Sequence, residues 1–220
     1  MYALVEDNKI TKIINNPKAM IIDDVQYPAK IFQLWSQSEL NNIGIYEVIT
    51  DSTNFKDQAY YINTNEQYDY VNNQVIRSWG TATSKLLDDQ NQVWLQQEID
   101  SGNAPNGTSA GDPVLDDDGN QVINYGLKTE KKRIVKQQAS GLLAPTDWYV
   151  VKASEVADYS VPSNITTFRT DVRAKSNEME SQIDACNNVD ELKTLYEYVN
   201  TGTEENPVYE RPLAEFPEEI

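Results

Sequence analysis

The chain contains no histidine at all. That excludes Ser-His and Cys-His nucleophilic pairs and every histidine metal site. Cysteine occurs once, as Cys186, so no intramolecular disulfide framework forms. Its place on an apolar helical stripe reads as a buried, inert thiol. Positive charge is scarce: 18 Lys and Arg stand against 35 Asp and Glu, a net charge of −17. Such a surface repels a duplex or an anionic membrane at long range, so neither nucleic acid nor membrane is an expected partner. No apolar run approaches the roughly 18 residues that a membrane helix needs. P-loop, G-x-G-x-x-G and nucleophile-elbow motifs are all missing, and no cofactor is expected. The opening Met1–Asp7 has neither a basic segment nor an apolar core, which argues against a signal peptide.

What is present is a chain of 220 residues with 39% hydrophobic and 10% aromatic content, including 13 tyrosines, enough to bury a core. The pattern predicts an α+β protein in four parts. These are a β-rich domain over 1–90, an Asp/Gly/Asn-rich linker over 91–126, a helical module over 127–200 and an acidic tail over 201–220. In the first part, Tyr2–Val5 and Ile10–Ile14 flank a turn-prone Glu6-Asp7-Asn8-Lys9, and Ile21-Ile22 and Val25–Tyr27 flank Asp23-Asp24. Ser36 with Glu39 makes a capping box, Trp35 and Leu40 occupy staple positions, and Gly44 is placed to end that short helix. Ile45–Ile49 is the next strand. Ala59–Asn63, Tyr68–Val71 and Gln74–Trp79 are expected to form a meander whose tyrosines make either a recognition face or a sheet core with one wet side.

In the linker, one hairpin is predicted around Asp116–Asn120. From Leu127 the period is helical, with Ile134, Val135, Gln138 and Leu142 on the apolar side until Pro145 stops the run. Trp148–Val151 reads as short and β-prone. A long helix follows, carrying the stripe Ile165, Phe168, Val172, Ser176, Met179, Ile183 and Cys186. Asn188 with Glu191 caps a final helix bearing Leu192, Leu195, Tyr196 and Val199. The tail, with six Glu and three Pro, is expected to hold one hairpin through Val208-Tyr209 or to stay extended until something binds it.

Few residues carry candidate chemistry. The Asp116-Asp117-Asp118-Gly119-Asn120 run fails the spacing of a calcium loop and reads as a solvated turn, and Asp88-Asp89 is a weaker cation candidate still. The basic run Lys128, Lys131, Lys132, Arg133 and Lys136 is read as a solvated helix face paired with nearby acids. Its functional alternative is a docking strip, through Lys128, Lys132, Arg133 and Lys136, for an acidic partner or for this chain's own tail. Trp148 and Tyr149 are either recognition residues or, the favoured reading, the anchor of one helix on another.

Two stretches bear a resemblance. Leu142-Leu143-Ala144-Pro145-Thr146-Asp147-Trp148-Tyr149-Val150-Val151, set between a basic helix and a helix with Phe168-Arg169 and Val172-Arg173, resembles a module of tailed-bacteriophage tail-fibre assembly and tail-assembly-chaperone proteins. Tyr2–Glu6, Gln26-Tyr27-Pro28 and Trp35-Ser36 through Glu39-Leu40 to Ile43-Gly44-Ile45-Tyr46 are similar to N-terminal regions of tailed-phage proteins. The resemblance implies a non-enzymatic tail-apparatus protein in the virion tail, or in the host cytoplasm during assembly. It would bind tail or fibre proteins, with a homo-oligomer as a further option, as a structural adaptor or as an assembly chaperone. It carries no active-site residues. The alternatives are a tail-associated glycan-degrading enzyme, disfavoured by the lack of internal repeats, and an acidic host-directed decoy.

Overall fold

The computed structural model describes residues 1–219. The chain forms two compact units, Met1–Thr83 and Ser84 onward. The α+β class expected from the sequence is what forms: strands dominate the first unit and the long helices lie in the second.

In the first unit, β1 (Tyr2–Glu6) and β2 (Lys9–Ile14) form a hairpin whose central Asp7 and Asn8 have φ of 50° and 60°. Two successive positive φ values match the right-handed twist of the flanking strands, and Asp and Asn tolerate them best after glycine. The same device joins β3 (Met20–Ile22) to β4 (Val25–Tyr27) through Asp23-Asp24. A short helix, α1 (Ile31–Leu34), precedes α2 (Gln37–Asn42). The capping box of α2 is as predicted: Glu39 N–H donates to Ser36 Oγ at 3.3 Å, and Ser36 N–H donates to the Glu39 carboxylate at 2.7 Å. Trp35, edge-on to Tyr27, packs with Leu40 onto a cluster of Leu4, Ile14, Ile22, Ile31 and Ile45. Gly44, at φ 79°, then turns the chain into β5 (Ile45–Thr50).

The meander expected over residues 59–79 does not form. A two-residue strand, β6 (Tyr61–Ile62), lies outside the main sheet, and β7 (Gln67–Val71) pairs with β8 (Gln74–Ser78) across Asn72-Asn73. Strand β8 then joins β5 in parallel, with Val48 opposite Val75, giving the order β2-β1-β5-β8-β7. A parallel partner requires a return path, and the stretch 51–66 followed by β7, running antiparallel to β8, provides it. The sheet curls until its outer strands β2 and β7 approach each other. Its concave side buries Ala3, Val5 and Val75. Tyr46 and Tyr70 pack on this cluster, with Tyr70 donating to the Tyr46 hydroxyl at 3.0 Å, and Tyr60 and Tyr61 are buried outside the sheet.

In the second unit, which starts with the second residue of the short strand β9 (Thr83–Ser84), the Asp/Gly/Asn-rich stretch is tied by backbone pairing. Strand β10 (Gln90–Asn91) pairs with β11 (Ile123–Asn124), and bridges join Val93 to Pro113 and Leu115 to Gln121. The last of these is the hairpin predicted around Asp116–Asn120. The Gln121 amide donates to the carbonyls of Gln92, Val114 and Val122 at 2.7, 3.2 and 2.9 Å, stitching together strands too short to hold alone. A five-residue helix, α3 (Gln96–Asp100), sits within this segment.

The helices follow: α4 (Leu127–Leu143), a 3₁₀ turn at Ala144–Thr146, α5 (Asp147–Glu155), α6 (Ser163–Asp184) and α7 (Val189–Tyr196). Six residues of the predicted stripe, Ile165 to Ile183, are buried on α6, and Cys186, expected on the helix, is buried just past its end. On α4 the buried positions are Val135 and Ala139, while Ile134 and Gln138 are exposed, a correction to the predicted face. Ala139 is small enough to let Phe168 and Val172 close in, which reading by hydrophobic bulk overlooks. The cap predicted for α7 is present, with Glu191 N–H donating to Asn188 Oδ1 at 2.8 Å. That helix stops at Tyr196, and Val199, expected inside it, starts β12 (Val199–Asn200), paired with β13 (Tyr209–Glu210). The tail thus holds its predicted hairpin, and beyond it Leu213 is buried.

Candidate interaction site

The segment Leu143-Ala144-Pro145-Thr146-Asp147 is organised by a residue 22 positions further along, Arg169 of α6 (169 less 147). Its guanidinium Nη1 lies 3.0 Å from the Leu143 carbonyl, 2.6 Å from Thr146 Oγ1 and 2.8 Å from the Asp147 carboxylate. Arg169 is 8% exposed, a burial that a charged group tolerates only with such partners. The Thr146 hydroxyl itself donates to the Leu143 carbonyl at 2.7 Å. Carbonyls at the end of α4 have no partners within their own helix, so the clamp satisfies one of them while fixing the start of α5. Thr146 and Asp147 are therefore structural residues, and their partner was not foreseen because a lone arginine on a stripe flank reads as solvent-facing.

The clamp explains why Trp148–Val151 is helical and not extended as expected. Pro145 stands in the 3₁₀ turn, Asp147 places a negative charge in the first turn of α5, and Arg169 pins both ends of the junction. Tertiary context overrides the β preference of Trp, Tyr and Val.

Helix α5 buries none of its nine residues. Trp148 is 52% exposed, and Val150, Val151 and, just past the helix, Val156 are also exposed. The favoured reading of Trp148 as a buried anchor is thereby corrected: it faces solvent, and Tyr149 is half-buried beside it. Their ring centroids are 3.9 Å apart. Lys152, one turn on, places its ammonium 5.7 Å from the Trp148 ring and 4.3 Å from the Tyr159 ring. A helix this rich in Trp, Tyr and Val normally turns its apolar side into a core. Here it presents an aromatic and valine surface with one cation across it.

The basic strip is a separate feature. It runs from Lys128 to Lys136 on α4, whereas α5 begins beyond Leu143, at least about 10 Å along the helix from Lys136 at 1.5 Å per residue. Its charges are paired within the chain: Lys128 with Asp88 at 2.9 Å, Lys132 with Asp184 at 2.7 Å, Arg133 with Glu130 at 3.0 Å and Lys136 with Glu180 at 3.2 Å. Lys132, Arg133 and Lys136 also line a shallow depression with Tyr125 and Thr129. Two of the four pairs tie α4 to α6, so the solvated-face reading describes the strip and docking of an acidic partner would have to break these pairs. Inside the tail, Arg211 pairs with Glu215 at 3.3 Å.

The acidic clusters have structural duties. Asp89 accepts hydrogen bonds from Gly126 N–H at 2.8 Å and from the Thr129 hydroxyl at 2.9 Å, closing the start of α4 that lacks a side-chain cap. Asp116 accepts from the N–H groups of Asp118 and Asn120, and these bonds, that of Asn120 foremost, hold its carboxyl below the usual aspartate value. Among the described residues no group of three or more Cys, Asp or Glu is placed to hold a metal ion. Burial pushes the Cys186 thiol up, away from the reactive thiolate. No helix among the described residues is long and apolar enough to cross a membrane. No family model matches the chain, and neither a curated protein nor a solved structure matches it.

Proposed function

We propose that the protein is a non-enzymatic component of a phage tail apparatus that binds a tail or tail-fibre protein through α5. The observation that carries the binding reading is the solvent-facing Trp148, Val150 and Val151 on a helix with no buried residue. Trp is the side chain most enriched among residues that dominate interface energetics, and a rigid helical mount lowers the entropy cost of engaging it. The assignment to a tail rests on the resemblance of the segment from Leu142 to Val151 and its flanking helices to tail-assembly modules. The clamp by Arg169 supports the pairing of these two stretches, since it gives a physical reason for Thr146-Asp147 and the distant arginine to occur together.

Mass spectrometry of purified phage particles and of infected-cell extracts tests this reading. A structural adaptor gives abundant peptides in mature particles, and an assembly chaperone gives them only in extracts, complexed with a tail or fibre protein. Absence from both tail-containing fractions contradicts the proposal.

A further inference from the structure

The segment after β13 lies on the helices as a ligand lies in a groove. Gln182 of α6 reads its backbone on both sides: the amide nitrogen donates to the Pro212 carbonyl at 3.1 Å, and the amide oxygen accepts from Ala214 N–H at 2.8 Å. Leu213 N–H donates to the Leu195 carbonyl at 3.0 Å, and the Leu213 side chain is only 2% exposed. Phe216 packs on Ala139, Phe168 and Val172. Backbone hydrogen bonds plus burial of two apolar side chains, here Leu213 and Phe216 three residues apart, are how proteins capture short peptide segments. The connection to this segment is a tight turn held open at one residue. A Cβ on Gly202 would lie 2.3 Å from the Asn206 carbonyl oxygen and 2.6 Å from the Val208 nitrogen, both backbone atoms. The two-pair ladder of β12 and β13 that this turn closes is exposed throughout.

From this we propose that the groove of α4, α6 and α7, which residues 212–216 of the same chain fill, takes in exchange the identical Pro-Leu-Ala-Glu-Phe segment of a second copy. A second copy is the occupant because it supplies the identical, already complementary sequence, and a tight turn with no room for a Cβ at Gly202 is a hinge at which added strain favours exchange of a terminal element between protomers. Within one chain the connection keeps the local concentration of the segment high, so the closed form dominates until copies are crowded together.

The test uses the full-length chain carrying Gly202→Ala, which strains the turn and leaves groove and segment untouched. Its mass in solution, measured over a concentration series, is expected to shift from that of one 25.0 kDa chain to two. An excess of synthetic peptide covering residues 211–219 should return it to one, and the same peptide with Leu213→Asp should not. A full-length chain lacking Glu204 and Glu205 strains the hinge by shortening it and serves if Gly202→Ala does not fold. Folded hinge variants that stay single chains at every concentration, or dimers indifferent to the peptide, overturn the proposal. Failure of both variants to fold overturns it too, since the segment would then be fixed core and not an exchangeable ligand.

Discussion

Arg169 and Trp148 exchange the roles that their chemistry suggests: the charged residue is core and the large aromatic is surface. Replacing Arg169 with Met removes a charge-assisted anchor of three acceptors and should cost about 2–3 kcal/mol in urea unfolding. Arg169→Lys should recover little of this, because a single ammonium cannot reproduce the planar fork. Asp147→Asn removes an anionic partner from a buried guanidinium and should cost about 1–3 kcal/mol in the same melt. Trp148→Ala should change stability by less than ~1 kcal/mol, as surface substitutions do, while weakening any partner bound at α5. A loss of several kcal/mol in the same melt would mean that the ring carries the fold. None of this was legible from residue type alone, because the burial of Arg169 depends on contacts 22 or more positions away in the chain (169 less 147).

Elements with local signals were legible, and those decided by distant pairing were not. The hairpin turns at Asp7-Asn8, Asp23-Asp24 and Asn72-Asn73, the capping box of α2 and the cap of α7 are each written within a few residues. The parallel approach of β8 to β5 and the strand at Val199 depend on partners elsewhere, and periodicity carries no trace of them. The apolar stripe of α6 was readable because six positions keep one face along a helix of twenty-two residues. The caps also set a pH response. The Ser36 hydroxyl, then the Ser36 N–H, hold the Glu39 carboxyl below its ordinary 4.5, and the Asn187 N–H foremost does so for Glu191. A depressed folded value means stabilisation that is fully present above the ordinary glutamate range and lost as pH falls through the lower folded value. Acid unfolding followed by circular dichroism should therefore begin below about pH 4.5, and Glu39→Gln with Glu191→Gln should flatten that dependence. An unchanged acid profile would show that the caps do not hold their helix ends. Asn188→Ala should separately cost ~1 kcal/mol in a denaturant melt through loss of the α7 cap.

Across the second unit, the charges of the basic strip are paired within the chain, while α5 leaves apolar side chains in solvent. The basic strip is spent on Asp88, Glu130, Glu180 and Asp184, so the acidic remainder of a chain at net −17 is what a partner meets at a distance. Long-range repulsion of this kind selects against acidic partners and leaves recognition to close-range apolar contact. Helix α5, rigidly mounted by Arg169 and empty of buried side chains, is where that contact is available. The direct measurement is site-specific photocrosslinking from position 148 in phage-infected cells, with the same crosslinker at the exposed Ile134 as control. A discrete crosslink from position 148 to a tail or fibre protein is expected, absent from position 134 and lost with Val151→Asp. No discrete product from position 148, or the same product from both positions, would contradict binding through α5.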